Sequence, residues 1–141
     1  MYRITSVDGS DEDIRSLLRV MHSEIFADTA PQIDPDEGDW WIAWHGDEPV
    51  GFAGMSPSAA VANAGYLSRS GVHKTHRGRG LQRRMIRCRE TAARRYGWSI
   101  LRTDTTENIH SANSLMKAGY MLFEPTVPWA FSNSLYWMKT L

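Results

Sequence analysis

A glycine-rich basic turn is the part of the sequence best suited to bind a ligand. It spans residues 77–82, which read RGRGLQ, and a helical pattern begins at its end. A chain that turns through glycines into a helix leaves several backbone N–H groups without partners, at the positive end of the helix dipole. Such groups bind phosphate oxygens well. The turn therefore predicts a site for a phosphorylated ligand.

The elements that must position this turn are a strand before it and a helix with a second strand after it. Residues 66–72 form the candidate strand before the turn. Beyond it, apolar residues recur at gaps of three or four, which predicts a helix: Leu81, Met85, Cys88, Ala92 and Tyr96. Gly97 is a candidate helix end, and residues 98–103 predict the next strand. This order is a βαβ unit, so the two strands should be parallel neighbours joined by a right-handed crossover.

The rest of the chain predicts further strands and helices around this unit. Strands are predicted at residues 2–7, 40–45, 49–55, 121–123 and 134–140, and the second and third form a β-hairpin. An apolar stripe from Ile14 to Ile25 predicts the first helix, with His22 beside the stripe in a surface or capping role. Residues 26–39 hold two prolines and five acids and predict a loop or a short irregular helix, and a connection of this length is often a binding element. With 141 residues, we expect one domain over residues 1–141.

Two motifs in the C-terminal half carry a resemblance to a known family. The first is Arg/Gln-x-x-Gly-x-Gly/Ala, which Arg77 and Gly80 match, whereas Gln82 departs from it. The second is Asn-x-x-Ser/Ala, a hydrophobic helix, and then Lys-x-Gly-Phe; its matching residues are Asn108, Ser111, Lys117, Gly119 and Tyr120. Both motifs lie in the expected order, separated by one strand. Over residues 50–120 the chain thus resembles the GNAT superfamily of acyl-CoA-dependent N-acyltransferases.

This resemblance implies a fold, a cosubstrate and a reaction. The fold would be α/β (mixed α+β): a mixed, mostly antiparallel sheet with a splayed parallel pair at its centre and helices on both faces. The reaction would be direct transfer of an acetyl group from acetyl-CoA to a primary amine. The acceptor would be a small-molecule or peptide amine, covered by residues 26–39. A homodimer would be in keeping with the family.

The resemblance also implies which residues bind coenzyme A. In the family, the loop amides hold the diphosphate, and the pantetheine lies between the two splayed strands, bonded like an added β-strand. Carried over to this chain, the cofactor-binding residues are Ser70, Gly71, Val72, Arg77, Gly78, Arg79, Gly80, Leu81, Gln82, Asn108 and Ser111. A backbone amide near Val72 would also stabilise the developing oxyanion.

The catalytic residues depart from the better-known members of the family. Many of those have a tyrosine seven residues after the capping asparagine, where this chain has Leu115, and a glutamate on the central strand, where residues 66–72 have no carboxylate. The candidate bases are Glu24 and Asp104, with Glu107 as a further one; the candidate acids are Tyr136 and Ser111. Proximity and water alone are an alternative. A second alternative is a GNAT-fold module that binds acyl-CoA without turnover.

The charges of the chain are unevenly distributed although the net charge is zero. Residues 1–48 hold twelve acids, whereas residues 69–95 hold ten lysines and arginines against Glu90 alone. A basic stripe of this kind suits a phosphorylated cofactor or a nucleic-acid backbone. A nucleic-acid binder would use the Arg83–Arg95 helix, but the helix lacks an aromatic platform, so this reading is the less favoured one. In a third reading, acidic and basic segments pair within the fold. The acids of residues 28–39 also favour a cationic acceptor.

Several other classes of protein are excluded by composition. No apolar run of eighteen residues is present, so we expect no membrane span. The N-terminal residues lack the apolar stretch of a signal peptide, and a cytoplasmic location is expected. Cys88 is the single cysteine, which excludes an internal disulfide and a cysteine-based zinc site, and no metal is expected. We expect Cys88 to be a small core-facing residue.

Overall fold

The computed structural model of the chain describes residues 1–27 and 29–141, and Asp28, one of the acids of the predicted loop, lies outside them. The strands are β1 (Tyr2–Val7), β2 (Asp39–His45), β3 (Glu48–Pro57), β4 (Ala64–Val72), β5 (Ile100–Thr105), β6 (Met121–Leu122) and β7 (Leu135–Thr140). The helices are α1 (Glu12–Phe26), α2 (Leu81–Arg95) and α3 (Ile109–Lys117). Every predicted element is therefore present. In the described part of the chain, no helix is long and apolar enough to cross a membrane.

The strands form one mixed sheet in the order β1-β2-β3-β4-β5-β7-β6. Strands β4 and β5 pair in parallel, and the other neighbouring strands pair antiparallel. The parallel pair arises from the predicted βαβ unit, in which α2 is the crossover. The predicted α/β fold, with its parallel pair inside a mostly antiparallel sheet, is confirmed.

Helices cover both faces of the sheet because the inner strands are apolar on both sides. Trp40 and Ile42 of β2 pack with Leu18 of α1 in one buried cluster. Trp41, the residue between them, points to the opposite face and packs with Ile86 of α2. Successive side chains of a strand alternate between faces, so the tryptophans of β2 divide between the two layers. Cys88 is partly buried against the second layer, and burial raises the pKa of its thiol.

Two predictions from the sequence are corrected by the structure. Strand β5 begins at Ile100 and ends at Thr105, two residues later than predicted, so Asp104 lies within the strand instead of following it. His22 is buried, with 1% of its surface exposed, and does not have the predicted surface or capping role. It lies one turn from the buried Leu18, on the face of α1 that contacts the sheet.

A buried ionic cluster joins α2, α3 and β7 behind the parallel pair. Glu90 of α2 accepts hydrogen bonds from the Tyr120 hydroxyl (2.9 Å) and from the ammonium group of Lys139 (3.0 Å). Lys139 also donates to the carbonyl oxygen of Ala118 at the end of α3 (2.7 Å). Burial and the charge of Glu90 raise the pKa of Tyr120, so this hydroxyl stays protonated and remains a donor.

We expect Lys139→Met to lower the free energy of unfolding by about 2 kcal/mol, because it leaves the Glu90 carboxylate buried without its cation. The cost stays below that of a fully buried pair, since a quarter of the Lys139 side chain is exposed (25%). Urea denaturation measures the change, and Lys117→Met, at an exposed lysine of α3, is the matched control. Equal stability of the two variants would show that the cluster contributes nothing.

Candidate functional site

The parallel pair opens into a cleft after its first three residue pairs. Strand β5 pairs with β4 only at Ala64, Gly65 and Tyr66, whereas β4 continues to Val72. At the point of separation, the Thr103 hydroxyl donates to the carbonyl oxygen of Leu67 (2.8 Å), in place of a strand partner. Beyond it, no strand of the described part of the chain neighbours the edge of β4 that faced β5. The two strands therefore diverge as the resemblance implied.

A bulge in β4 accompanies this divergence. Ala53 of β3 pairs with Ser70 and Met55 with Leu67, so two residues of β4 lie opposite Gly54 alone. A side chain at Gly54 would meet the Ser68 hydroxyl at 2.5 Å, which explains the glycine. A bulge of this kind bends the strand and increases its twist, and it lies just beyond the last residue of β4 that pairs with β5.

Arg89 of α2 supports the bulge from the helical layer. Its guanidinium group donates to the carbonyl oxygen of Gly54 (3.2 Å) and to that of Met85 (3.3 Å). Only 2% of the residue is exposed, and burial lowers its pKa to about 10, which leaves it charged at neutral pH. By its position in the sequence, Arg89 belongs to the basic stripe that was predicted to bind a polyanion. The structure corrects this prediction for Arg89, because its charge is buried inside the protein.

The cleft encloses a cavity of about 570 Å³ between the diverging strands. Strand β4, the start of α2, the end of β5 and the start of α3 all contribute to its wall. Predicted cofactor residues lie on both sides of it: Ser70, Gln82, Asn108 and Ser111. The Ser70 hydroxyl donates to the side-chain oxygen of Gln82 (3.2 Å), and the amide N–H of Ser111 donates to the capping side chain of Asn108 (3.1 Å). The structure thus brings together residues that are distant in the sequence.

The glycine-rich turn leaves a run of backbone donors free at the end of this cavity. Among the described residues, no protein group accepts a hydrogen bond from the backbone N–H groups of residues 78–83, and the first paired amide of α2 is that of Arg84 with the Gly80 carbonyl (3.1 Å). The amide of Arg77 is different, since it donates to the carbonyl oxygen of Lys74 (3.4 Å). The predicted run of free donors therefore begins one residue later.

Glycine is required in this turn by the backbone conformation. Gly78 and Gly80 have φ angles of +76° and +75°, in the left-handed region that side chains disfavour. A Cβ atom at either position would meet no atom of residues 1–27 and 29–141 within 4 Å, so the described residues leave the space in front of the amides open. Gly71, Val72 and Leu81 are buried and shape the turn from behind, and Leu81 packs in the core with Val72. Arg79 is exposed.

The basic side chains around the turn are not neutralised by the acidic N-terminal part. In residues 1–27 and 29–141, no lysine or arginine between positions 69 and 95 forms an ion pair with a carboxylate. The reading in which acidic and basic segments pair directly is therefore not supported. Arg77, Arg79 and Arg83 remain exposed beside the free amides and add positive charge there.

Of the five candidate bases and acids, Asp104, Glu107 and Ser111 line the cavity, whereas Glu24 and Tyr136 do not. Glu24 lies at the end of α1 with 56% of its side chain exposed, 3.8 Å from the ring of His73. Tyr136 is buried on β7, and its hydroxyl accepts a hydrogen bond from the amide of Ala130 (3.0 Å). Neither of these two lines the cavity, although Tyr136 lies directly opposite Asp104 where β5 pairs with β7.

Asp104 is held by two donors from different parts of the chain. The Tyr66 hydroxyl (2.6 Å) and the indole N–H of Trp129 (2.8 Å) both donate to its Oδ2 atom. Burial and the charge of Asp104 raise the pKa of Tyr66, so Tyr66 stays a donor. In the part of the chain that the structure describes, the Oδ1 atom has no partner. This arrangement fixes the carboxylate and leaves one oxygen able to accept a proton.

A second cavity of about 370 Å³ adjoins the first. Tyr66, Ser68 and Arg69 line both cavities. The second cavity is otherwise bounded mainly by the predicted loop, through Gln32, Ile33, Asp34 and Glu37, together with Trp40 and Ser56. The loop after α1 therefore covers a space that meets the first cavity at the bulge of β4.

Sequence reasoning missed a histidine–arginine pair beside these cavities. Arg69 of β4 donates to Nε2 of His22 (2.8 Å) and lies over the ring of Phe26 (5.3 Å). The imidazole must therefore be neutral, with its proton on Nδ1, because Nε2 accepts from a cation. Burial and the positive charge of Arg69 lower the pKa of His22. One signal in the sequence could have indicated that His22 is buried. Its spacing from Leu18 places both side chains on the same face of α1.

Protonation of His22 is expected to make stability depend on pH. Its folded pKa lies below the unfolded value of about 6.5, so the unfolded chain binds a proton that the folded chain does not. The free energy of unfolding should therefore fall as the pH is lowered from about 6.5 toward the folded pKa. Urea denaturation between pH 5 and pH 8 should give a flatter dependence for His22→Gln than for His110→Gln, a change at an exposed histidine. Identical slopes would contradict the assignment.

The structure has a mixed sheet that opens at its parallel pair, in front of a helix with free amides. The resemblance to acyl-CoA-dependent acyltransferases implied this architecture. A model of the acetyltransferase (GNAT) family matches residues 8–120. The chain therefore belongs to the GNAT acetyltransferase family. A search of curated proteins found no match.

Solved structures share this fold over nearly the whole chain. An IAA acetyltransferase from Bacillus cereus is 15% identical, with a TM-score of 0.75 over 100% of both chains. The ribosomal-protein-S18-alanine N-acetyltransferase from Escherichia coli is 12% identical, with a TM-score of 0.74 over 99% of this chain and 94% of that one. An acetyltransferase from Bacillus subtilis, solved in complex with CoA, is 14% identical, with a TM-score of 0.71 over 100% of this chain and 99% of that one. At these identities the likeness shows the fold alone.

Proposed function

We propose that this protein transfers an acetyl group from acetyl-CoA directly to a primary amine. The observation that carries the proposal is the run of free backbone donors at residues 78–83, at the end of a cleft between parallel strands. A diphosphate would accept hydrogen bonds from these amides at the positive end of α2. The exposed arginines of the turn would add charge attraction, and family membership supports the same cosubstrate.

The pantetheine arm would extend from the turn along the free edge of β4. Among the described residues, that edge has no strand partner beyond Tyr66. Past Leu67, whose carbonyl oxygen accepts from Thr103, it therefore offers backbone groups that a ligand can bind as an added strand would. Ser70 and Gln82 line this path on one side, and Asn108 and Ser111 line it on the other. The thioester would then reach the bulge of β4, where the two cavities meet.

Transfer requires a cationic amine to lose two protons, one before it attacks and one afterwards, and the departing sulfur to gain one. The free Oδ1 atom of Asp104 takes the first proton, the neutral nitrogen attacks the thioester carbon, the C–S bond breaks, and solvent takes the second proton. A backbone amide of β4 would stabilise the oxyanion. The Ser111 hydroxyl lines the cavity and would give the thiolate a proton, which solvent replaces. Holding both reactants at the bulge would supply much of the acceleration.

The acceptor amine would enter through the second cavity. Two exposed carboxylates of the loop, Asp34 and Glu37, line it and are free of ion pairs among the described residues. Negative charge at this entrance favours an amine that arrives as a cation. Small-molecule amines and peptide amines both meet this requirement.

Thiol release from acetyl-CoA, measured against a panel of amines, tests the proposed function. The panel should contain polyamines, amino acids, aminoglycosides and peptides with free N-termini or lysines, and mass spectrometry should detect the acetylated product. We expect turnover with a cationic member of the panel. Tight binding of acetyl-CoA without turnover of any amine would instead establish a non-catalytic acyl-CoA-binding module.

A further inference from the structure

Two histidines and a glutamate meet on the surface away from the acetyl-CoA cleft. One possible ligand atom from each of His45, Glu48 and His76 lies within 4.8 Å of the other two. In residues 1–27 and 29–141, this is the one group of at least three such side chains. Imidazole nitrogen together with carboxylate oxygen is a ligand set that divalent transition metals prefer.

The fold fixes the positions of these three residues. His45 ends β2 and Glu48 begins β3, on either side of the tight turn of the hairpin, where they pair in register. His76 ends a short 3-10 helix (Lys74–His76) that follows β4. The rings of His45 and His76 are 5.2 Å apart between centroids. The hairpin therefore presents two ligands, and the third comes from a separate segment.

A hydrogen bond already orients one of the imidazoles. The Tyr2 hydroxyl and Nδ1 of His76 are 2.8 Å apart, and the Tyr2 ring packs against both histidines, with centroids at 5.0 and 5.7 Å. Metal-binding histidines usually donate their second ring N–H to a fixed acceptor, which sets the tautomer and the ring orientation. If Nδ1 of His76 donates to Tyr2, its Nε2 atom carries a free lone pair.

We propose that His45, Glu48 and His76 bind one divalent transition-metal ion, with zinc as the representative case. Two imidazole nitrogens and one carboxylate oxygen give three protein ligands, and water completes the coordination. Metal–ligand distances near ~2.1 Å require the ligand atoms to approach one another slightly, which the exposed His45 and Glu48 side chains can do by rotation.

The site has a structural consequence for the neighbouring turn. His76 immediately precedes Arg77 and the free amides of the glycine-rich turn, so a bound ion would tie this segment to the β2–β3 hairpin. The sequence predicted no metal because the ligands come from segments far apart in the chain and no cysteine is involved. The site does not depend on the proposed acetyl transfer, since none of its ligands lines the cleft.

Metal titration of the untagged, chelator-treated protein tests the proposal. Isothermal titration with zinc should give one site per chain, and cobalt should give visible d–d absorption in the same stoichiometry. We expect His45→Ala and His76→Ala each to weaken zinc binding at least ~30-fold, and Glu48→Gln to weaken it about tenfold. His110→Ala, which removes an exposed histidine on α3, should leave the affinity unchanged. Far-UV circular dichroism establishes that each variant is folded.

Two results would overturn the proposal. One is the absence of stoichiometric zinc binding by the unaltered protein, together with no cobalt spectrum. The other is an equal loss of affinity in His110→Ala and His76→Ala, which would indicate scattered surface binding. Glu48→Gln preserves the shape of the side chain. An unchanged zinc affinity in this folded variant would therefore show that the Glu48 carboxylate is not a ligand, which would also contradict the proposed site.

Discussion

Replacing Gly80 with valine is expected to weaken acetyl-CoA binding about 100-fold. Gly80 has a φ angle of +75°, and a β-branched residue is strongly disfavoured there. The backbone must therefore shift, and the amides of residues 78–83 lose their common direction. Each hydrogen bond from an amide to the charged diphosphate contributes about 1.5–3 kcal/mol. Losing one or two of them corresponds to a loss of affinity of roughly 100-fold. Isothermal titration with acetyl-CoA measures it.

Gly97→Val is the matched control for this variant. Gly97 follows the opposite end of α2 and has a φ angle of +79°, and a Cβ atom added to it would likewise meet no atom of the described residues within 4 Å. The two substitutions therefore cause similar backbone strain, but only Gly80 lies among the free amides. We expect Gly97→Val to lose stability and to keep its affinity for acetyl-CoA. A similar affinity loss in both variants would attribute the effect to general destabilisation.

Asp104→Asn is expected to lower kcat about 100-fold, within the range that general bases contribute. The amide oxygen of asparagine can still accept from Tyr66 and Trp129, in place of the Oδ2 atom, so the local structure should persist. The amide nitrogen that replaces Oδ1 cannot accept a proton. Steady-state thiol release should therefore show a reduced kcat, while titration shows unchanged binding of acetyl-CoA.

Asp47→Asn provides the control for the loss of a carboxylate. Asp47 is exposed in the β2–β3 turn, and we expect its variant to keep full activity. If Asp104→Asn also kept kcat within a factor of about two, the amine would lose its proton to water. Catalysis would then depend on the positioning of the reactants alone.

Local sequence patterns predicted the turn and its flanking elements well. The glycines of residues 77–82 and the apolar spacing of α2 are short-range signals, because turn conformation and helix amphipathicity are set within a few residues. The order of strand, turn, helix and strand then fixed the parallel pair through the crossover rule. The divergence of the two strands came from the family resemblance, since no local pattern specifies where pairing stops.

Long-range contacts were the part that the sequence did not reveal. Tyr66, Asp104 and Trp129 meet across two strands and a loop, and none has a sequence pattern that indicates the others. The bounds of β5 were predicted two residues early, which put Asp104 outside the strand. Strand ends depend on pairing with neighbours, here with β7, and propensity alone does not fix them.

Charge patterns also did not show which arginines face solvent. Arg69 and Arg89 belong to the basic stripe by position, yet one binds His22 and the other supports the β4 bulge inside the protein. A long side chain can fold inward wherever unpaired carbonyl groups or a ring are available. The buried His22 is the counterpart of this error, because a neutral imidazole can enter a core when a donor such as Arg69 satisfies its Nε2 atom.

Amide chemical-shift mapping tests the central claim most directly. In ¹H–¹⁵N spectra of the labelled protein titrated with coenzyme A, we expect the largest shifts at the amides of residues 78–83, which have no protein acceptor among the described residues. Smaller shifts should follow along β4 toward Ser70. Saturable binding of coenzyme A that leaves the amides of residues 78–83 unshifted, or no binding at all, would contradict the account.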